Sequence, residues 1–204
     1  MAVGTYALTS LANLKTYLNI SGTTNNTFME TLVDRATALM EEYTRRNLKA
    51  RDYSYDSDSE DYDKDNAVMD GNDRDVLILP QRPVNSLTTL RVNEQAISES
   101  TGVYVCGWMI DKKRGMVRLR CYLFTKGMDN VELAYNAGYS TVPDDLEQAC
   151  IEQAAWMYKQ SPVGQGLLGV SSRSLQDGSI SYTAKDLLPQ VKLVLQNYKQ
   201  RFAY

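Results

Sequence analysis

Apolar residues recur at helical spacing near the N-terminus, and this pattern predicts two helices. Leu11, Leu14 and Leu18 follow Ser10, a residue type that often caps helices. After a short polar break, Asn25 or Asn26 can cap a longer helix. The longer helix carries one apolar stripe, formed by Met29, Leu32, Val33, Ala36, Leu39, Met40 and Tyr43. Because the break is short, we expect the two helices to pack as an antiparallel hairpin.

The C-terminal third predicts two more helices separated by a polar segment. Asp144 and Glu147 match a capping box at the start of the first, which runs to about residue 160. Its apolar stripe consists of Leu146, Ala149, Cys150, Ala154, Met157 and Tyr158. The second covers residues 187–202, with Pro189 tolerated in its first turn. The segment 161–183 between them is rich in Gly and Ser and reads as a loop.

In the middle of the chain, apolar and polar residues alternate as they do in β-strands. Residues 76–80, 87–92 and 130–135 are strand candidates. Two further apolar runs flank the sequence DKKRG and predict a β-hairpin. If residues 112–115 form its loop, Asp111 faces Met116, and the same register forms three more pairs whose side chains can face a core. These three pairs are Ile110 with Val117, Trp108 with Leu119, and Cys106 with Cys121.

Together these elements predict an α+β fold. We expect the N- and C-terminal helices to form an antiparallel helical bundle, with a β-rich middle insertion. The predicted domains are a helical core from residues 1–50 and 143–204, and a β-rich subdomain from residues 51–142.

The segment 52–75 is strongly acidic. It holds ten Asp or Glu against two basic residues, a local net charge of −8 within a chain of net charge −3. Because like charges repel and such a segment buries little, we expect a mobile or solvated loop. Residues 61–66 resemble the start of a calcium loop, but Asn66 replaces the usual Gly and Asn72 the usual bidentate Glu. We therefore predict no metal site.

Composition disfavours most enzyme classes. The chain has no histidine and three cysteines with no CxxC pair, which removes His-based triads and makes a structural zinc site improbable. Core filling is expected for Cys106, Cys121 and Cys150. A Cys106–Cys121 disulfide fits the hairpin, but reducing cytosol disfavours it. With neither a long apolar run nor a signal peptide, we expect a cytosolic protein that does not enter membranes, has no catalytic residue and needs no cofactor.

Three blocks of the sequence resemble the head–tail connector proteins of tailed bacteriophages, also called adaptor or head-completion proteins. The first block contains LKTYL at 14–18 and YTRR at 43–46. The second spans residues 131–160, and its matching positions are Tyr135, Ala137, Gly138, Tyr139, Pro143, Leu146, Ala149, Ala155 and Tyr158. The third joins residues 169–182 to the final helix. The acidic segment matches nothing in the family pattern.

The resemblance implies a structural virion protein without enzymatic activity. It implies a homo-oligomeric ring of twelve copies beneath the portal protein, which links the capsid to a stopper or tail protein and extends the DNA channel. DNA would pass through without sequence-specific binding. The expected location is the head–tail interface of the virion, with the host cytoplasm as the site of assembly. Segment 52–75 either lines the channel or faces outward.

The candidate assembly segment follows from the resemblance and from the polar stretch before the last helix. We expect the stretch to become ordered against a neighbouring subunit or the portal. The residues of the candidate assembly segment are Gly169, Ser171, Ser172, Arg173, Asp177, Ser179, Tyr182, Val191, Leu195 and Tyr198. Two alternatives are a tail-completion protein and a small carboxylate- or metal-dependent hydrolase that uses the acidic segment. Calorimetry with calcium, magnesium or manganese would distinguish the hydrolase.

Overall fold

A computed structural model describes residues 3–161, residue 163 and residues 187–199. The chain divides into two compact units. Unit 1 consists of Met1–Arg46 and Val142–Tyr204, and unit 2 is the continuous segment Asn47–Thr141. The domain limits taken from the sequence stay a prediction.

The described elements follow in chain order. They are α1 (Leu11–Leu18), α2 (Asn26–Thr44), β1 (Arg51–Ser54), α3 (Lys64–Ala67), β2 (Val68–Gly71), β3 (Val76–Ile78), β4 (Val84–Val92), β5 (Gln95–Ala96), β6 (Gly107–Asp111), β7 (Met116–Arg120), β8 (Gly127–Ala137), α4 (Asp144–Gln160) and α5 (Pro189–Gln196).

Unit 1 is built around α2 and α4, which pack against each other and against the two shorter helices α1 and α5. The Ser10 side chain accepts a hydrogen bond from the backbone N–H of Asn13 at 3.2 Å, so the predicted cap of α1 is confirmed. The apolar stripes supply the core, in which Leu14, Met29, Val33, Ala36, Met40, Leu146, Cys150, Ala154, Val191 and Leu195 are buried.

The predicted capping box of α4 is wrong. The residue before the helix is Pro143, which has no side-chain oxygen to cap it. The Glu147 carboxylate instead accepts hydrogen bonds from the Thr9 hydroxyl at 3.1 Å and from the Asn13 amide at 2.6 Å. It therefore ties the start of the chain to α4 within unit 1.

Unit 2 contains two antiparallel sheets. In the larger sheet the order is β1-β8-β4-β5, and β2 also pairs with β8; in the smaller the order is β3-β7-β6. The core cluster of unit 2 draws buried side chains from both sheets, including Leu77, Trp108, Leu133 and Tyr135, and also contains Phe124 from the connection between β7 and β8. The predicted hairpin register is confirmed, because Trp108 pairs with Leu119, Ile110 with Val117 and Asp111 with Met116.

The predicted fold class is wrong. The chain has a β-rich fold with antiparallel sheets, with eight strands and five helices among the described residues, and it is not an antiparallel bundle made from terminal helices. The physical reason is length: α1 and α5 have eight residues each, against 19 in α2. Eight residues span only about 12 Å, too short to run alongside a helix of about 28 Å as bundle partners.

The acidic segment 52–75 is also more ordered than predicted. It includes most of β1 and all of α3 and β2, and both strands pair with β8. Tyr53 and Ala67 lie in the core of unit 2, which explains why the segment folds despite its charge. The Asp63 carboxylate caps α3 by accepting a hydrogen bond from the N–H of Asn66 at 3.2 Å.

Adjacent residues with opposite burial test the core of unit 2. Phe124 is 0% exposed and Leu123 is 50% exposed. We predict that Phe124→Ala lowers the free energy of unfolding by about 3–5 kcal/mol, because it leaves a cavity. The control Leu123→Ala changes it by about 0.5 kcal/mol or less. Urea unfolding of the full chain measures both, and equal effects would contradict the described core.

Candidate assembly surfaces

Seven of the ten predicted assembly residues lie outside the described residues. They are Gly169, Ser171, Ser172, Arg173, Asp177, Ser179 and Tyr182. The other three, Val191, Leu195 and Tyr198, lie on or just after α5 in unit 1.

These three residues hold α5 to its own unit. Val191 and Leu195 are fully buried, and the Tyr198 hydroxyl lies 2.7 Å from both carboxylate oxygens of Asp145. The Arg46 guanidinium donates a hydrogen bond to the Tyr198 carbonyl at 2.9 Å. The side chains thus contact unit 1, and their role in assembly stays a prediction.

The outer face of α5 presents other residues. Leu193 is 65% exposed, in contrast to its buried neighbours along the helix. Beside the helix lies an open groove of about 360 Å³ in unit 1, where the Lys199 ammonium lies 5.0 Å from the centre of the Tyr43 ring. The groove is lined by Leu39, Glu42, Tyr43, Arg45, Leu187, Lys192 and Lys199. The groove thus combines three basic residues and one acidic residue with Leu39, Tyr43 and Leu187, a mixture that suits contact with a protein surface.

Two potentially reactive side chains in the described part of the chain are buried. Cys150 is buried, as predicted, and burial raises the pKa of its thiol to about 12, so it stays protonated near neutral pH. Burial likewise raises the pKa of Tyr135, whose hydroxyl donates to the Asn66 carbonyl at 3.1 Å. Among the described residues, no group of three or more His, Cys, Asp or Glu is arranged to hold a metal ion. No helix in the described ranges has the length and apolar character needed to cross a membrane.

Unit 2 carries an exposed apolar surface that the sequence did not predict. It consists of residues 102–105, which precede β6, and residues 121–123, which follow β7; we call it the apolar tip. Tyr104 is 95% exposed and Val103 74% exposed. Val105, Tyr122 and Leu123 are also exposed. Five large apolar side chains in two linked segments are typical of a protein contact surface.

A disulfide and two polar side chains fix the apolar tip. Cys106 and Cys121 form a disulfide, so the prediction that they fill the core is wrong; both are exposed. The Arg120 guanidinium donates hydrogen bonds to the carbonyls of Gly102 and Val103. The Ser100 hydroxyl donates to the Val105 carbonyl at 2.7 Å. A loop fixed in this way loses little conformational entropy when it binds, which favours docking.

The apolar tip escaped sequence reasoning because its residues look like a strand. The run VYVC alternates with its neighbours as a strand would, yet β6 begins only at Gly107. The one available signal was the predicted pairing of Cys106 with Cys121, which places the two cysteines at the end of the hairpin.

Comparisons with known proteins give one family model and several solved structures of similar fold. A family model described as head completion protein matches residues 7–201. Among solved structures, the chain is similar to a chain in the neck of an empty gene transfer agent particle computed with C6 symmetry, with 20% identity and a TM-score of 0.60 over 100% of this chain and 95% of that chain. The same values hold for the neck of the native particle computed with C12 symmetry, of whose chain 94% is covered.

A third similar structure is the virion of the native gene transfer agent particle, with 17% identity and a TM-score of 0.56 over 95% of this chain and 90% of that chain. Identities this low show a shared fold. No curated protein matches.

The disulfide gives a measurable prediction. In the absence of reductant, the free energy of unfolding of the double variant Cys106→Ser with Cys121→Ser should be about 3 kcal/mol lower than that of the wild type. The reason is that the disulfide joins cysteines 15 positions apart and so restricts the unfolded chain. Urea unfolding measures this. With an excess of reductant, wild type and variant should coincide, and a difference that persists there would mean that the serines act by another route.

Proposed function

Because the chain belongs to the head completion protein family, we propose that it forms a ring beneath the portal and extends the DNA channel towards the tail. The family is one of structural virion proteins at the junction of head and tail, and this chain is a head–tail connector of that kind. Enzymatic activity is no part of the proposed role. The observation that carries the proposal is the family match over nearly the whole chain.

Likeness to neck structures supports the ring. The similar chains belong to particle necks computed with C6 and C12 symmetry, and twelve copies are compatible with both symmetries. In a ring every contact between neighbours is repeated at each subunit, so contacts that are weak alone give a stable assembly. The portal lies on one side of the proposed ring and a stopper or tail protein on the other.

The balance of charge supports passage of DNA without binding. The net charge of −3 gives no general attraction for phosphates. A channel protein needs this property, because a tight grip on DNA would oppose its movement.

We propose that the polar segment before α5 and the outer face of α5 together contact the portal or a neighbouring copy. The segment contributes Gly169 to Tyr182, as the family resemblance implies. Deletion of residues 185–204 would remove this contact, but it would also remove Val191 and Leu195 from the core of unit 1. Substitution at exposed Leu193 separates the two effects.

Electron microscopy of the full chain mixed with its portal tests the ring. We expect a closed ring of twelve copies attached to the portal. A ring found only at the end of isolated tails would favour the alternative of a tail-completion protein. The proposal would be contradicted if complete particles contained the chain neither at the portal nor at the end of the tail.

A matched pair of variants tests the contact by α5. We predict that Leu193→Asp reduces the yield of infectious particles at least about tenfold, because it places a charge in an apolar contact. Leu193→Met, which keeps an apolar side chain of similar size at the same exposed position, should leave the yield within about twofold. Complementation of particles that lack the wild-type chain measures the yields. Equal yields for the two variants would remove Leu193 from the contact.

A further inference from the structure

The smaller sheet of unit 2 has an outer face that carries several exposed side chains. Strand alternation places Val117 and Leu119 of β7 in the core, so Arg118 points outward. Met109 of β6 pairs with Arg118 in the register, and both are exposed. Ile78 of β3 adds a third exposed side chain to the sheet. The face is therefore apolar as well as charged.

Basic residues extend this face at the turn of the β6–β7 hairpin. Lys112, Lys113 and Arg114 are all exposed there. We call Ile78, Met109, Arg118 and these three residues the basic sheet face. Arg114 lies 3.8 Å from Asp111, whereas Lys112, Lys113 and Arg118 have no ion pair with any described residue. Most of the positive charge of this face is unneutralised.

The turn after β1 has the complementary character. Asp56, Asp58, Glu60 and Asp61 are exposed, and Tyr62 beside them is also exposed. We call these five residues the acidic turn. Its backbone is fixed, because the N–H of Ser54 donates to the Asp61 carbonyl at 2.8 Å and the N–H of Asp63 donates to the Ser54 carbonyl at 3.0 Å.

The carboxylates of the acidic turn have no cationic partner among the described residues. Acids elsewhere in unit 2 do: Asp129 pairs with Lys64 at 2.8 Å and Glu132 with Arg91 at 2.9 Å. Each copy thus exposes two fixed surfaces of opposite charge that its described residues leave unpaired.

We propose that the basic sheet face of one copy contacts the acidic turn of the next copy around the ring. A ring needs two different and complementary surfaces on every subunit, since each copy meets its neighbours head to tail. Opposite charges bring such surfaces together and exclude the wrong register. The basic sheet face supplies Met and Arg and the acidic turn supplies Tyr, and all three residue types are enriched in protein interfaces. The proposal rests on the ring proposed above and identifies one of its contacts.

The apolar members of the basic sheet face favour a protein over DNA as its partner. Phosphates would attract Lys112, Lys113 and Arg118 but would leave Ile78 and Met109 without a contact. A neighbouring copy offers both charge and the Tyr62 ring.

Zero-length carbodiimide cross-linking of intact particles tests the contact directly. This reagent joins a lysine to a carboxylate only where the two already touch. We expect cross-links between copies from Lys112 or Lys113 to the acidic turn, identified by mass spectrometry of a mixture of isotopically light and heavy chains. The yield of these cross-links should fall as salt rises, because the contact is electrostatic.

Charge reversal provides the second test. We expect the triple variant Lys112→Glu, Lys113→Glu, Arg114→Glu to reduce incorporation into particles at least about tenfold. The variant Asp56→Lys, Asp58→Lys, Glu60→Lys should do the same. Incorporation should recover when both variants are supplied together. In a ring that alternates the two variants, each reversed basic face meets a reversed acidic turn, and the unchanged surfaces meet at the next contact, so every contact again joins opposite charges. Unfolding in urea checks that each variant is folded.

Two results would overturn this contact and leave the ring standing. The first is a ring in micrographs whose cross-links join other surfaces. The second is normal incorporation of both folded variants. A different result would identify DNA as the partner of the basic sheet face. In that case only the triple variant at residues 112–114 would fail to be incorporated, and it would also lose salt-dependent binding to duplex DNA. Absence of any ring in micrographs would contradict the proposed function itself.

Discussion

Unit 2 depends on the pairing of one strand, β8, with three others. β8 exchanges backbone hydrogen bonds with β1, β2 and β4, while Val131, Leu133, Tyr135 and Ala137 point alternately into the core. Because the side-chain period of a strand is two, a slip of one residue would expose all four core residues. That constraint fixes β1 and β4, and with β1 the acidic turn that follows it. The rigid placement of charge on this unit is thus a result of strand register.

The elements that the sequence predicted well are those with strong periodicity. The register of the β6–β7 hairpin was recoverable because two alternating strands and a short loop allow few arrangements that bury every apolar residue. The stripes of α2 and α4 were recoverable for the same reason, and so was the burial of Cys150. In each case the pattern of apolar residues alone determines which side faces the core.

Features governed by single contacts or by the environment could not be predicted in this way. Net charge concealed that Tyr53 and Ala67 anchor the acidic segment in the core. The capping box failed because its spacing does not reveal that Pro143 takes the capping position and that Glu147 binds Thr9 and Asn13. Helix length was overestimated at the C-terminal end, which led to the wrong fold class. The apolar tip depends on a disulfide, whose formation is set by redox conditions that a sequence does not state. The predicted assembly residues fall mainly outside the described part of the chain.

The discontinuity of unit 1 has a consequence for synthesis. Unit 2 is a single stretch of the chain, whereas the core of unit 1 needs α4 and α5 as well as the first two helices. On the ribosome, the strands of unit 2 can therefore pair while α5 has yet to be translated, and α1 and α2 must wait for their partners. Glu147 can bind Thr9 and Asn13 only after the start of α4 has been translated. Incomplete chains would then present the paired strands of unit 2 without a finished helical unit.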